Sequence, residues 1–334
     1  MSEPKRIILH VGLHKTGTTF LQDRVFPALP GVRFVHPLHY AQASDGPIER
    51  FMLELFFRNA AHIDVGHHRK AIAAWLARVE EPTVLISSEA IVGWPIENHS
   101  NFRVNADLLA ELFPNAQVVF VVRRQDRWVE SAYSQVLKAG FSTSIERYLN
   151  FREGRFQRYN VGLYHGPNVD ARDLDWGPFD AHYRRRFGER AVCTLPFELF
   201  TRDSDAFLRH LYAFMAVEGG PFPDASQRVN TSWSPLAANV ARVVNTIPMP
   251  VKRALRERIP KDLHPAELVS RVSAVAPGLG LGKPGPGPKA SSSGPRKKKR
   301  FLSPELAAAL MDLHRENNEA LGARIGFDLS AYDY

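Results

Sequence analysis

The sequence predicts an α/β fold, a mostly parallel sheet of about five strands flanked by helices on both faces. Three observations carry this expectation. Short continuous apolar runs rich in Val and Ile recur at residues 5–11, 83–87 and 117–122, the pattern of strands buried on both faces. Stretches of helical periodicity separate them. A chain of 334 residues, 44% hydrophobic, suffices for one large α/β domain with insertions or for a domain plus a small lobe.

The elements follow in order. Residues 5–11 read as the first strand, 18–28 as a helix and 32–35 as a short strand. Residues 48–61 and 69–79 carry helical periodicity, 83–87 is a strand, 106–112 a helix and 117–122 a strand. Residues 131–140, 145–151 and 179–187 read as helices, 190–195 as a strand and 205–215 as a helix. The last helix, 302–321, opens on Ser303-Pro304-Glu305, an N-cap followed by proline at the first helical position. No internal repeat is visible, and we expect a single domain over 1–334. Within it, 278–300 is a Gly/Pro/Ser-rich and basic loop.

The first strand runs into Gly12-Leu13-His14-Lys15-Thr16-Gly17-Thr18-Thr19. A Gly-containing turn between a strand and a helix presents backbone N–H groups and a helix N-terminus to a phosphate. Gly12, Gly17 and Thr19 fit the nucleotide-binding template G-x-x-x-x-G-K-[ST], but position 18 is Thr and the lysine has moved to Lys15, inside the loop. The loop keeps the phosphate cradle and changes where the cation points. The strand 117–122 ends in Arg123-Arg124, and Ser131 follows eight residues after Arg123. The planar fork of an Arg suits a phosphate through two parallel charge-assisted hydrogen bonds.

The loop His14-Lys15-Thr16-Gly17-Thr18-Thr19 resembles the 5′-phosphosulfate loop of sulfotransferases that use 3′-phosphoadenosine 5′-phosphosulfate (PAPS). In that family an Arg at a strand end and a Ser eight residues later hold the 3′-phosphate, and Arg123 and Ser131 match that spacing. Members often carry Asp-Pro after the Arg. Here Arg124-Gln125 follows, which leaves open whether Arg123 or Arg124 makes the main contact. The later segments 176–187, 196–200, 316–318 and 328–332 resemble the bacterial branch of the family. Arg228-Val229-Asn230-Thr231-Ser232 resembles an Arg-x-Asn-x-Ser element near its substrate cleft. The resemblance implies a P-loop-type sheet, PAPS as donor, no required metal, and sulfation of a hydroxyl on a carbohydrate or small metabolite. The implied donor-binding set is His14, Lys15, Thr16, Gly17, Thr18, Thr19, Arg123, Ser131, Arg228 and Asn230.

An acceptor hydroxyl calls for a general base. Glu89 is the first choice, because it follows the strand 83–87 at the carboxyl end of the sheet, where open α/β proteins build their sites. His36 and His39, after the second short strand, compete with it. The enzyme alternative is a P-loop kinase, disfavoured by the missing lysine at position 18 and by a strand that ends in arginines where a magnesium-holding acid is expected. A non-catalytic nucleotide-binding protein is the alternative outside enzymes.

The remaining signals are weaker. His62, His67 and His68 lack a partner cluster with ligand spacing and read as surface histidines. Trp94, Trp128 and Trp233 are candidates to line a cleft or stack on adenine or sugar, with packing the default; Lys138 is a candidate to reach the acceptor, with a solvated side chain the default; and the single Cys193 reads as a buried structural thiol that fits a reducing compartment. Residues 277–300 hold seven cations and no acid, and without them the net charge of +8 falls to +1. The basic character is one loop, so nucleic acid is not an expected partner. No signal peptide or transmembrane stretch is evident, so the expected location is cytoplasmic, away from membranes.

Overall fold

The computed structural model describes residues 4–36, 46–95, 98–158, 168–219 and 300–334. These divide into two compact units. The first is formed by described residues up to 128, by 172–219 and by 311–334, and the second by 129–158, 168–171 and 300–310.

The first unit holds a five-stranded sheet in the order β2-β3-β1-β4-β7, every neighbouring pair parallel. Its strands are β1 (Arg6–His10), β2 (Val32–Val35), β3 (Thr83–Ser87), β4 (Gln117–Val122) and β7 (Val192–Pro196). The three central strands are the most apolar in sequence, and all of β3 and nearly all of β1 and β4 are buried. That is the cost-free place for a continuous Val/Ile run, since both faces are covered by helices.

On one face Ile8, Leu85, Val119, Val121 and Leu195 pack with Phe20, Leu21, Val25 and Phe26 from the helical segment after β1. Phe207, Leu208, Leu211 and Met215 of α9 (Ser204–Met215) complete that layer. On the other face Phe120 meets Phe179 and Tyr183 of α7 (Gly177–Phe187), at 6.4 and 5.7 Å between ring centroids. Phe102, which opens α4 (Phe102–Leu112), lies 4.4 Å from Phe179. The period-two alternation of β4 thus sends Val119 and Val121 to one layer and Phe120 to the other.

The helical segment after β1 is continuous but changes type, from α1 (Thr18–Phe20) through a π turn (Leu21–Val25) to a 3-10 turn (Phe26–Ala28). Two helices, α2 (Pro47–Phe57) and α3 (Val65–Leu76), precede β3, and Asp64 caps α3 by accepting from His67 N–H at 2.9 Å. The remaining helices are α5 (Gln125–Lys138), α6 (Ile145–Tyr148), α8 (Phe197–Arg202) and α10 (Pro304–Ile325). Ser303 caps α10 as expected, accepting from Leu306 N–H at 3.1 Å.

In the second unit Tyr133 packs against Tyr148 and Phe301 and donates its hydroxyl to the Thr143 carbonyl at 2.7 Å. A small hairpin pairs β5 (Phe151–Arg152) with β6 (Arg155–Phe156).

Three expectations are corrected. The helix expected over 145–151 ends at Tyr148; Asn150 turns into positive φ and Phe151 enters the hairpin, closed by Glu153 and Gly154, both at positive φ. His68 is not a surface residue. It is buried against Phe51 and lies 3.4 Å from the Glu54 carboxylate. Cys193 is only half-buried, and burial still pushes its thiol up to about 12, which leaves it unreactive.

One buried acid ties α7 to β7. Asp180 accepts from the Thr194 hydroxyl at 2.6 Å and from Arg184 Nε at 2.9 Å, and pairs with Arg324 at 3.5 Å. Removing it leaves the largely buried Arg184 with only the exposed Glu189 carboxylate, 3.6 Å away, as counter-charge. We expect Asp180→Ala to lose about 3–5 kcal/mol in urea unfolding, and a loss below ~1 kcal/mol would refute this role.

Candidate functional site

The site forms at the carboxyl ends of β1 and β4. The chain leaves β1 toward β2, beyond β3, and leaves β4 toward β7 on the opposite side. Neighbouring strands whose connections depart in opposite directions open a crevice between them. Two hydrogen bonds carry the β1–β4 pairing past the end of β1: Val11 N–H to the Val119 carbonyl at 2.9 Å and Leu13 N–H to the Val121 carbonyl at 3.3 Å. The loop is therefore an extension of the sheet.

The loop turns tightly. Lys15 stands at φ 71°, and Gly17 at φ 82° precedes Thr18 as the helix N-cap. A Cβ on Gly17 would come within 2.9 Å of the Phe197 ring, so backbone conformation and space both require glycine. No side chain caps this helix start, and the Phe20 and Leu21 N–H groups turn back to the Gly17 carbonyl at 2.9 and 3.3 Å. Thr16 anchors the turn through its hydroxyl to the Leu13 carbonyl, Trp128 donates its indole N–H to the His14 carbonyl at 2.8 Å, and Thr19 is exposed. The buried Thr18 hydroxyl has no hydrogen-bond partner among the described residues. A helix start without a side-chain cap, an unpaired hydroxyl and a lysine in one turn suit a bound phosphate.

Arg123 follows β4 and donates to the Lys15 carbonyl at 2.5 Å, tying the strand end to the loop. Its guanidinium lies over the Phe197 ring at 4.8 Å, and its Nε has no partner among the described residues. Burial pulls its proton affinity down, opposed mainly by the carboxylate of Glu198. Arg124 is engaged differently: it forks onto Asp126 at 2.7 and 2.8 Å and pairs with Asp333 at 3.2 Å. Of the two arginines, Arg123 is the one with donor capacity to spare.

Glu198, at the start of α8, is held by the Tyr334 hydroxyl at 2.7 Å and by Arg124 N–H at 3.3 Å. Burial raises its proton affinity, as it does for Tyr334. Neither residue was singled out from sequence. Glu198 carries the same signal as Glu89, an acid just past a strand end; nothing local marks Tyr334.

Glu89 begins a 3-10 turn after β3, whose N-cap Ser88 accepts from Ala90 N–H at 3.3 Å. It is half-buried, and burial raises its proton affinity, opposed by its own backbone N–H, the charge of Lys15 and a hydrogen bond from Gln22. Gln22 is itself fixed by Ser87, donating to its hydroxyl at 3.0 Å, and Ser87 meets His10 Nδ1 at 2.7 Å. The structure thus brings Glu89 into the electrostatic field of the loop lysine. An acid here, just past the interior strand β3, weakens one of the two observations that together disfavour a magnesium-dependent kinase. Among the described residues no group of three or more potential metal ligands occurs.

His36 follows the edge strand β2, stacked 6.2 Å from Phe34, and acts electrostatically on His10. Ser131 lies on α5, in the second unit. His39, Arg228, Asn230, Ser232, Trp233 and residues 283–299 lie outside the described residues. No helix is long and apolar enough to cross a membrane among those described.

The profile of the sulfotransferase family matches residues 8–221. Among solved structures, a sulfotransferase from Alicyclobacillus acidocaldarius is 18% identical, with 76% of this chain and 100% of that chain covered and a TM-score of 0.43. The sulfotransferase domain from the curacin biosynthetic pathway is 14% identical, with 85% and 100% covered and a TM-score of 0.38. No curated protein sequence matches.

Three imidazoles around the loop are buried and neutral. Burial holds His10 and His14 down to about 3 and His99 to about 4. Because these folded-state values lie below the unfolded one, the unfolded chain takes up protons first as pH falls. Stability is complete above about pH 6.5 and declines below it, each histidine costing about 1.4 kcal/mol per pH unit. We expect urea unfolding at pH 5 to show this loss relative to pH 7, reduced by His10→Gln. Equal reductions with and without His10 would contradict it.

Proposed function

Because the chain belongs to the sulfotransferase family, we propose that it moves a sulfuryl group from PAPS to a hydroxyl of a carbohydrate or small-molecule acceptor, releasing adenosine 3′,5′-bisphosphate. One observation supports this reading above the others: Lys15 sits inside a phosphate-type loop whose carbonyl is tied to Arg123, at the switch point of the sheet. In this reading the chain acts as a single sulfotransferase domain.

PAPS supplies an activated sulfuryl group on a phosphate that leaves. The backbone N–H groups from Thr16 to Thr19, Gly17 included, and the Thr18 and Thr19 hydroxyls hold the 5′-phosphate, with His14 beside them. Arg123, with Ser131, takes the 3′-phosphate; Arg228 and Asn230 complete the donor set. Lys15 neutralises the negative charge that grows on the bridging oxygen as the sulfur–oxygen bond breaks, a contribution made only in the transition state. The acceptor oxygen forms the new bond to sulfur, and its proton passes to Glu89. Burial suits Glu89 to that task, since a raised proton affinity makes a carboxylate a stronger base. His36 and His39 are the competing bases. No step calls for a metal.

A second reading has one observation in its favour. Glu89 at the end of β3 stands where a P-loop kinase holds magnesium. Against it stand the family membership and Thr18 in the place of the kinase lysine. A non-catalytic binder would keep the loop and lose nothing at Glu89.

Mass spectrometry of acceptor sulfation with PAPS separates these readings. We expect Lys15→Ala to lower kcat by about 10²–10³-fold, the scale of a lost oxyanion donor. Glu89→Gln should lower kcat by roughly 10²-fold or more while leaving affinity for adenosine 3′,5′-bisphosphate unchanged. Full activity in Glu89→Gln would shift the base to His36 or His39, and dependence on magnesium would revive the kinase.

A further inference from the structure

Next to the loop lies an aromatic cluster that the donor does not account for. His14 meets Trp94 at 5.7 Å and His99 at 6.4 Å between ring centroids. His99 is packed in turn against Trp128 at 6.0 Å and Phe179 at 5.7 Å. Trp94 then meets Phe57, the last residue of α2, at 6.5 Å. Phe57 is 61% exposed and Leu53, one turn earlier on the same face of α2, is 38% exposed. Single exposed hydrophobics are ordinary; an apolar strip that runs into a reaction centre is informative.

The polar atoms in the cluster are of one kind. His14 and His99 are 9% and 5% exposed, and His14 Nδ1 and His99 Nε2 have no hydrogen-bond partner among the described residues. His99 Nδ1 lies 3.1 Å from both the Val92 and Gly93 carbonyls, so it carries the proton and Nε2 is left an acceptor. The segment is held under strain: Asn98 and His99 are at positive φ, and a Cβ on Gly93 would lie 3.1 Å from the His99 backbone. Buried polar atoms without a partner point to a ligand that completes them.

Resting on the sulfotransferase reading, we infer that Leu53, Phe57 and Trp94 form the acceptor wall, and that the acceptor is a neutral phenol or alcohol with a flat apolar body. A sugar also stacks on such rings but needs polar side chains around its hydroxyls, whereas among the described residues this strip offers apolar surface and neutral ring nitrogens. Among the described residues an anionic acceptor would find no cation in the cluster itself; Lys15, the adjoining charge, is committed to the leaving group. The strip is continuous with the loop through His14, so a ring laid on Phe57 and Trp94 leads its hydroxyl toward Lys15 and Glu89.

The test compares 2-naphthol with N-acetylglucosamine as acceptors of the full chain, in the wild type, Phe57→Ser and a control at another exposed apolar position, Val104→Ser. We expect 2-naphthol to be preferred at least about tenfold in kcat/KM. Phe57→Ser should raise its KM about tenfold with kcat held within about twofold. Affinity for adenosine 3′,5′-bisphosphate should be unchanged in Phe57→Ser, and Val104→Ser should alter neither parameter. Preference for the sugar, or an unchanged KM in Phe57→Ser, overturns the inference. Should PAPS support transfer to neither acceptor, the sulfotransferase reading fails by itself. Calorimetric binding of 2-naphthol then decides the acceptor wall: binding weakened by Phe57→Ser sustains it, and no binding to the wild type overturns it.

Discussion

The parallel pairing of β1 with β4, prolonged beyond the strand ends, is the constraint on which the site depends. Val11 and Leu13 donate into β4 before the chain turns, so the loop starts from a fixed height and direction. The Arg123–Lys15 hydrogen bond closes the same pair of strands from the other side. Lys15 is thereby held in the left-handed region, a conformation that costs energy in a free turn and persists only where its surroundings impose it. In the proposed reaction, a lysine whose main chain is fixed in this way starts closer to the arrangement that developing charge requires.

Around that pair lies a shell of buried polar groups. Trp128 fixes the His14 carbonyl, Trp176 donates to the Arg123 carbonyl at 2.7 Å, and the chain His10–Ser87–Gln22 reaches Glu89. Two indole N–H groups serve two loop carbonyls, which explains why large, fully buried tryptophans stand here rather than phenylalanines. On the far side Glu198, Tyr334, Asp126 and Asp333 divide the two arginines between them. Arg124 is satisfied by carboxylates, whereas Arg123 keeps capacity for an external anion.

Much of this was legible in the sequence where the cause is local. The bounds of β3 and β4 agree with the apolar runs that define them, because a strand covered on both faces leaves no alternation to misread. The loop was legible because its glycines answer to backbone geometry within a few residues. The hairpin at 151–156 was not: two residues per strand are too few for periodicity, and only Glu153-Gly154 hinted at a turn. Helix α6 was overextended because apolar spacing runs on through Leu149 and Phe151 after the backbone has turned. What separates Arg123 from Arg124 was only partly readable: Asp126, two residues on, engages Arg124, but Asp333 and Glu198 with Tyr334, which complete the difference, are distant in sequence. The histidines misled for a related reason: His68 looks like its exposed neighbours and is buried only by tertiary packing on Phe51.

The central claim is that the loop and Arg123 together read a nucleotide carrying both 5′- and 3′-phosphates. Calorimetric titration without magnesium, adenosine 3′,5′-bisphosphate against ADP, tests it most directly. The account predicts at least a tenfold preference for the 3′-phosphorylated ligand, about 1.4 kcal/mol, with that preference lost in Arg123→Ala. Equal affinity, or tighter binding of ADP, would contradict it.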